Sequence, residues 1–189
     1  MTTLEKYAGG NAVAHLFARP IRDHVQPVDG GALKSGIVFF WSSWTTIIVL
    51  MNLMDELKAL GLLPEDWNVA SGNYKAIAHE TDVYRAPAWL DKLLLFGAML
   101  WEAVASCLFW RAFRLHLKRS PESLAAGYTA SACLLGLFGA FILGDEILHA
   151  YKMEGDHREI AQALLMSLLA LQYLPESGPT PMAKRSRLR

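Results

Sequence analysis

The sequence predicts an all-α membrane protein: a four-helix transmembrane bundle with both termini in the cytoplasm, an N-terminal interfacial segment and a long outer loop. Two observations carry that expectation. Four long apolar stretches occupy most of the 189 residues, and none alternates apolar with polar side chains as a half-buried strand would. The connections between them sort by charge, so that a formal net charge of zero conceals a strong dipole along the helix direction. Helices are also the form that lipid permits, because an open sheet edge leaves backbone N–H and C=O groups unsatisfied in hydrocarbon.

The arm before the first stretch, residues 1–34, carries Leu4, Tyr7, Val13, Leu16 and Phe17 among Lys6, His15 and Arg19, which suits a short helix on the inner membrane surface. Pro20, Pro27, Gly30 and Gly31 then predict an irregular link. The first span reads from Ser35 to Met54, without a charge until Asp55, and roughly 20 apolar residues suffice to cross a bilayer. A second span runs from Trp89 to Phe113, a third from Leu124 to His149 and a short fourth from Ile160 to Leu174; residues 35–174 form one domain. Pro175, Gly178, Pro179 and Pro181 end the fourth helix, and residues 175–189 read as a disordered basic tail.

Orientation follows from Lys and Arg, which cytoplasmic connections retain. The arm has Lys6, Arg19, Arg22 and Lys34, the link between spans two and three has Arg111, Arg114, Lys118 and Arg119, and the tail has Lys184, Arg185, Arg187 and Arg189. The other two connections hold Asp55, Glu56, Glu65, Asp66, Glu80, Asp82 and Asp91, then Asp145, Glu146, Glu154, Asp156 and Glu159, and belong outside. The expected location is a cell inner membrane, with membrane lipid as a partner. The basic ends suit anionic inner-leaflet lipid rather than nucleic acid. No cleavable signal segment is visible at the N-terminus, so the first span would itself direct insertion.

Hydrophobic residues make up 53% of the chain and the mean hydropathy is +0.22, modest values because the arm, the first outer loop and the tail are polar. Cys107 and Cys133 lie inside spans and read as small packing residues. The loop between Asp55 and Trp89 is long enough to be functional or docked, and Trp67, Tyr74, Tyr84 and Trp89 are spaced along it like an interfacial girdle. Residues Asn73 to Glu80 are expected to form a short helix there, stopped by Thr81 and Pro87.

Ionisable groups inside a span cost on the order of 2.5 to 3.5 kcal/mol on insertion scales, so they invite functional hypotheses. Glu102 lies 13 residues beyond Trp89, roughly 20 Å along the helix, and needs a proton or a partner on another helix. Ser106 shares its face. In the third span Ala132, Gly136 and Gly139 recur on one face, Glu146 continues it and His149 follows a turn later. That predicts Glu146 and His149 aimed inward, in the i, i+3 spacing by which carboxylate-bridged bundles present metal ligands. With Glu102, His79 and Asp82 as neighbours, and Asp55, Glu80 and His157 as further candidates, the expectation is at most a single metal ion, and only if the loops fold over the mouth of the bundle. A hydrogen-bonded cluster that pins helix register is the simpler reading. Haem is disfavoured because His149 is outer and His116 inner, and no Cys-x-x-Cys-His is present. There is no Gly-x-Ser-x-Gly elbow and no phosphate-cradling glycine loop.

Several motifs together resemble a known family. Asn52, Leu53 and Asp55 close the first span, Asn73 leads to His79, Thr81 and Asp82, Trp101 precedes Glu102, and Gly144 with Glu146 ends span three. In that order they resemble a bacterial family of predicted small integral membrane proteins, a domain of unknown function. The resemblance implies a four-helix inner-membrane protein and carries no activity. The leading functional expectation is therefore non-enzymatic: an accessory subunit that packs against other membrane protein subunits, in a respiratory or other redox assembly. Trp41, Trp44, Trp101 and Trp110 motivate it, because large aromatics in a small bundle leave apolar surface for a partner. Alternatives are a membrane metal or quinone site on the outer Glu and His residues, and a small proton-coupled transporter using Glu102.

Overall fold

The computed structural model describes residues 29–175, so the expected interfacial arm and basic tail lie outside the described residues. Within them the chain is helical, with no strand. Helix α1 spans Gly30–Ala59, α2 Asn73–Thr81, α3 Ala88–Leu117, α4 Ser123–Leu148 and α5 Tyr151–Tyr173, and a 3-10 turn at Asp82–Tyr84 follows α2. Three of these, α1, α3 and α4, are long and apolar enough to cross a membrane.

The helix starts and stops follow local chemistry. Asp29 caps α1 by accepting from the Gly31 N–H at 3.0 Å, and Pro87, which has no N–H to satisfy, precedes α3. Leu60 closes α1 and is followed by Gly61 at φ +72°, a left-handed conformation open to a residue without Cβ. Helix α4 ends on His149, held at φ +58°, and α5 begins after only Ala150.

Successive long helices run antiparallel. Helix α1 packs along α3 and α3 along α4, while α5 returns beside α4. At one end of the helices Asp145 of α4 pairs with His157 of α5; at the other, Leu171 of α5 lies against Gly127 of α4, where a Cβ would sit 3.6 Å from its Cδ1. The core between them is Val38, Trp41, Phe109, Leu134, Leu137, Phe138, Leu164 and Leu171, with alanines where backbones approach. Helix ends separate by charge: Arg111, Arg114, Lys118 and Arg119 lie at one end of α3, Asp55, Glu56, Asp91, Asp145 and Glu154 at the opposite ends of their helices. The first is the basic end of the helices and the second the loop end.

The fourth helix departs from the sequence expectation. It begins at Tyr151 rather than Ile160, so the acidic stretch expected as an outer loop is its first half. Glu154 is buried there and meets Arg158 one turn on at 3.1 Å. Because that half is charged, α5 as a whole is not apolar enough to count among the membrane-crossing helices.

Helix α5 also closes only part of its gap with α1. Trp41 donates its indole N–H to Ser167 Oγ at 3.0 Å. Nearer the basic end, a β-carbon at Gly30 would run into the Pro175 carbonyl oxygen, a contact that only glycine permits. Toward the loop end the two helices diverge and leave an open groove of about 420 Å³.

Candidate functional site

The polar residues that lipid should not tolerate converge beneath the connection from α1 to α3. Helix α1 contributes Asn52, Asp55 and Glu56, all buried. Their i, i+3, i+4 spacing puts them on one helical face. Helix α3 contributes Glu102, 6% exposed, and Asp91. Helix α2 lies across the two and supplies Asn73, the Tyr74 N–H and Thr81.

Asn52 is the centre of this network. Its side-chain N–H₂ donates to Glu102 Oε2 at 2.7 Å, and its carbonyl oxygen accepts from Asn73 Nδ2 at 2.8 Å. One amide thus connects a deep carboxyl group on α3 to the first residue of α2. Trp101, beside Glu102, donates to the Cys133 carbonyl at 3.0 Å, which sets the carboxyl near the middle of α4's length.

Asp55 does a different task. The residue before α2 is Gly72, which has no side chain to cap the helix. Asp55 replaces it from α1: its Oδ2 accepts from the Tyr74 N–H at 2.7 Å and from Ser71 Oγ at 3.1 Å. A carboxylate at a helix N-terminus satisfies an orphan N–H and complements the helix dipole. Ser71 N–H also donates to the Met51 carbonyl at 3.2 Å, Thr81 Oγ1 donates to Asp91 at 2.7 Å, and Tyr84 O–H donates to the Ile147 carbonyl of α4 at 2.7 Å. The long connection is therefore a cap bonded to α1, α3 and α4. Lys58 and Trp67 add bonds within it, Lys58 Nζ to the Trp67 carbonyl at 2.8 Å and Trp67 Nε1 to the Val69 carbonyl at 2.9 Å.

Glu56 is the exception inside the cluster. Its Oε2 is buried without a hydrogen-bond partner among the described residues, an arrangement that costs about 1–3 kcal/mol or more for a charged group. Lys92, beside Asp91 on α3, supplies an attracting charge.

The metal-ligand expectation meets a different geometry. Glu146 and His149 are both exposed, and His149 is the residue that terminates α4, its ring edge-on to Tyr151. His79 and Asp82 are exposed on the cap, and Glu102 is bonded to Asn52 instead. The inward position belongs to Asp145, one residue earlier, whose Oδ2 lies 2.6 Å from His157 Nδ1 of α5. Phe138 and Phe141 pack against that imidazole at ring-centroid distances of 5.9 and 4.8 Å. The small-residue stripe misled by the same one-residue step: Ala132 and Gly136 are exposed, and the buried face of α4 is Ala130, Ser131, Leu134, Phe138 and Asp145. Gly136 still has a use, since a Cβ there would meet Trp101 at 3.3 Å. Among the described residues no three His, Cys, Asp or Glu side chains are grouped to hold a metal ion.

Ser106 does not join Glu102. It shares a 2.9 Å hydrogen bond with Thr46 Oγ1 of α1, which also accepts from the Trp110 indole at 2.9 Å. His116 is buried near the basic end beside the Ala112 carbonyl, at 3.0 Å, far along α3 from the loop end that holds His149 and His157. Cys107 and Cys133 form no disulfide.

Sequence reasoning noted Asn52 as a motif residue but missed its place at the hub, and it overlooked Asp145 with His157. The signal for the first was present: three polar residues, Asn52, Asp55 and Glu56, at helical spacing where an apolar span ends. Comparison with protein-family models, with curated proteins and with solved structures found no match.

Proposed function

We propose that the chain is an integral membrane accessory subunit, embedded by a four-helix bundle with the basic end in the cytoplasm, that uses the cap as a presented docking element for a larger membrane assembly. The observation that carries this reading is the fixing of the cap. A connection of that length is held by Asn52, Asp55, Asp91 and the Ile147 carbonyl, yet it leaves Leu62, Val69 and Val83 exposed. A segment that only joined two helices would not need so many buried polar partners. Rigid apolar surface costs less ordering entropy on association than a mobile loop.

Mild-detergent extraction from native membranes tests this. The expected result is migration well above the chain's own 21.0 kDa, together with discrete larger subunits, and a shift toward free chain when Asp55→Ala loosens the cap. Migration of the wild-type chain alone in its detergent micelle would overturn the reading.

One observation favours a second reading, proton-coupled transport: Glu102 is buried at mid-height of the bundle and connected through Asn52 to the cap. Reconstituted vesicles would then show proton flux that Glu102→Gln abolishes, whereas equal flux in both proteins removes the reading.

A further inference from the structure

The groove between α1 and α5 combines features that lipid alone does not explain. One wall is aromatic, formed by Phe40, Trp41 and Trp44 of α1. The other is α5, with Asp156, Glu159 and Ile160. Both carboxylates are exposed, and no hydrogen bond or ion pair within the described residues engages either side chain. Asp156 and Glu159 lie five and eight residues into α5, roughly 8 and 12 Å along it. Since α5 starts at the loop end, where His157 meets Asp145, both carboxylates stand within the first three turns of α5 on its groove side.

The groove is also short. Toward the basic end it is closed by the Trp41 to Ser167 hydrogen bond and then by the contact of Gly30 with Pro175. A transmembrane helix from a partner would need an open seam along the whole length, and this seam is shut over its inner part. A volume of about 420 Å³ falls in the range of small-molecule sites, about 300–1,000 Å³. Aromatic faces attract cations through the ring quadrupole, and adjacent carboxylates add a direct charge attraction.

We propose that this groove binds a compact lipophilic organic cation, such as a quaternary ammonium or arylphosphonium with apolar substituents. Its charge sits between Asp156 and Glu159, and its apolar groups lie against Trp44 and Phe40. The inference rests on the chain being membrane-embedded.

The test uses the full chain in nanodiscs of phosphatidylglycerol and tetraphenylphosphonium as the probe, with binding followed by equilibrium dialysis and tryptophan quenching. Saturable binding near one per chain is expected, weakened at least tenfold in the Asp156→Asn, Glu159→Gln double variant. Ala163→Phe, which fills the groove and leaves both charges in place, is expected to weaken it as well, and guards against a double variant that fails to fold. Uncharged triphenylphosphine oxide should not saturate. Non-saturable uptake equal in wild type and Ala163→Phe would overturn the proposal, as would loss of binding when the nanodiscs are made of phosphatidylcholine, which assigns the groove to a headgroup. Extraction of the chain from membranes without detergent would instead overturn the membrane reading itself.

Discussion

Helix α1 has two neighbours of opposite character. Its seam with α3 is held at three levels: by hydrogen bonds of Asn52 to Glu102 and of Thr46 to Ser106 with the Trp110 indole, and by Phe39 packing against Trp110 and Phe113 at centroid distances of 6.1 and 5.2 Å. Its seam with α5 has the Trp41 to Ser167 bond and the Gly30 contact, and then opens. Both seams offer abundant apolar surface. In lipid, however, apolar surface is covered equally well by acyl chains, so polar bonds and close backbone approach select which helices pair. The closed seam has polar bonds from its loop end to mid-span and aromatic contacts beyond, whereas the open seam is held only toward the basic end.

The strongest way to break this contrast is Asn52→Leu. It leaves Glu102 and Asn73 without their partner while filling the same space with apolar atoms. The expected loss is about 3 kcal/mol, the cost of stranding the buried Glu102 carboxyl, read as a lowered midpoint in detergent-mixture unfolding. Cleavage of the 60–87 connection by protease should accelerate as the cap loosens. An unchanged midpoint would mean that the α1 to α3 seam does not depend on its polar hub.

A smaller effect is expected from Asp55→Ala, which removes the cap of α2 without reaching the seam below. Loss of a helix N-cap costs about 0.5–2 kcal/mol, so protease sensitivity of the cap should rise while the unfolding midpoint moves less than for Asn52→Leu. Equal shifts in both variants would show that cap and seam unfold as one unit.

The smallest effect is expected from Thr46→Val. It deletes the acceptor of the Trp110 indole and the partner of Ser106, yet interhelical hydrogen bonds of this kind average about 0.6 kcal/mol in membranes. A midpoint shift near that size, with the cap unaffected, is the expected outcome. A shift as large as that of Asn52→Leu would place the main hold of the seam at mid-span rather than beneath the cap.

Much of the fold was legible. The apolar runs located α1, α3 and α4 to within a few residues, and Asn73 to Glu80 was recognisable as the short helix that became α2. The start of α5 was not, because a charged stretch next to an apolar one looks like a connection. Here His157 reaches Asp145 of α4 and Glu154 is buried, so the polar half packs as helix through a contact that the stretch itself does not contain. Glu146 was placed inward for a related reason. Helix α4 is apolar on nearly every side, so its sequence contains no stripe that distinguishes the packed face. A choice made from small residues fell one position, about 100° of helix, from Asp145.

The amino-acid sequence by itself determined where helices form and that the charges separate between their ends. Both depend on local composition: twenty apolar residues make a helix suited to hydrocarbon, and the sign of each connection is written in its residues. Tertiary structure alone decided that Asn52 serves Glu102 and Asn73 together, that an aspartate on α1 caps α2, and that α1 and α5 part toward the loop end. Each of those requires the rotation and depth of one helix against another, set by a few directional bonds between residues 16 to 126 positions apart. The partners lie on different elements, and local sequence does not say which pairs will meet.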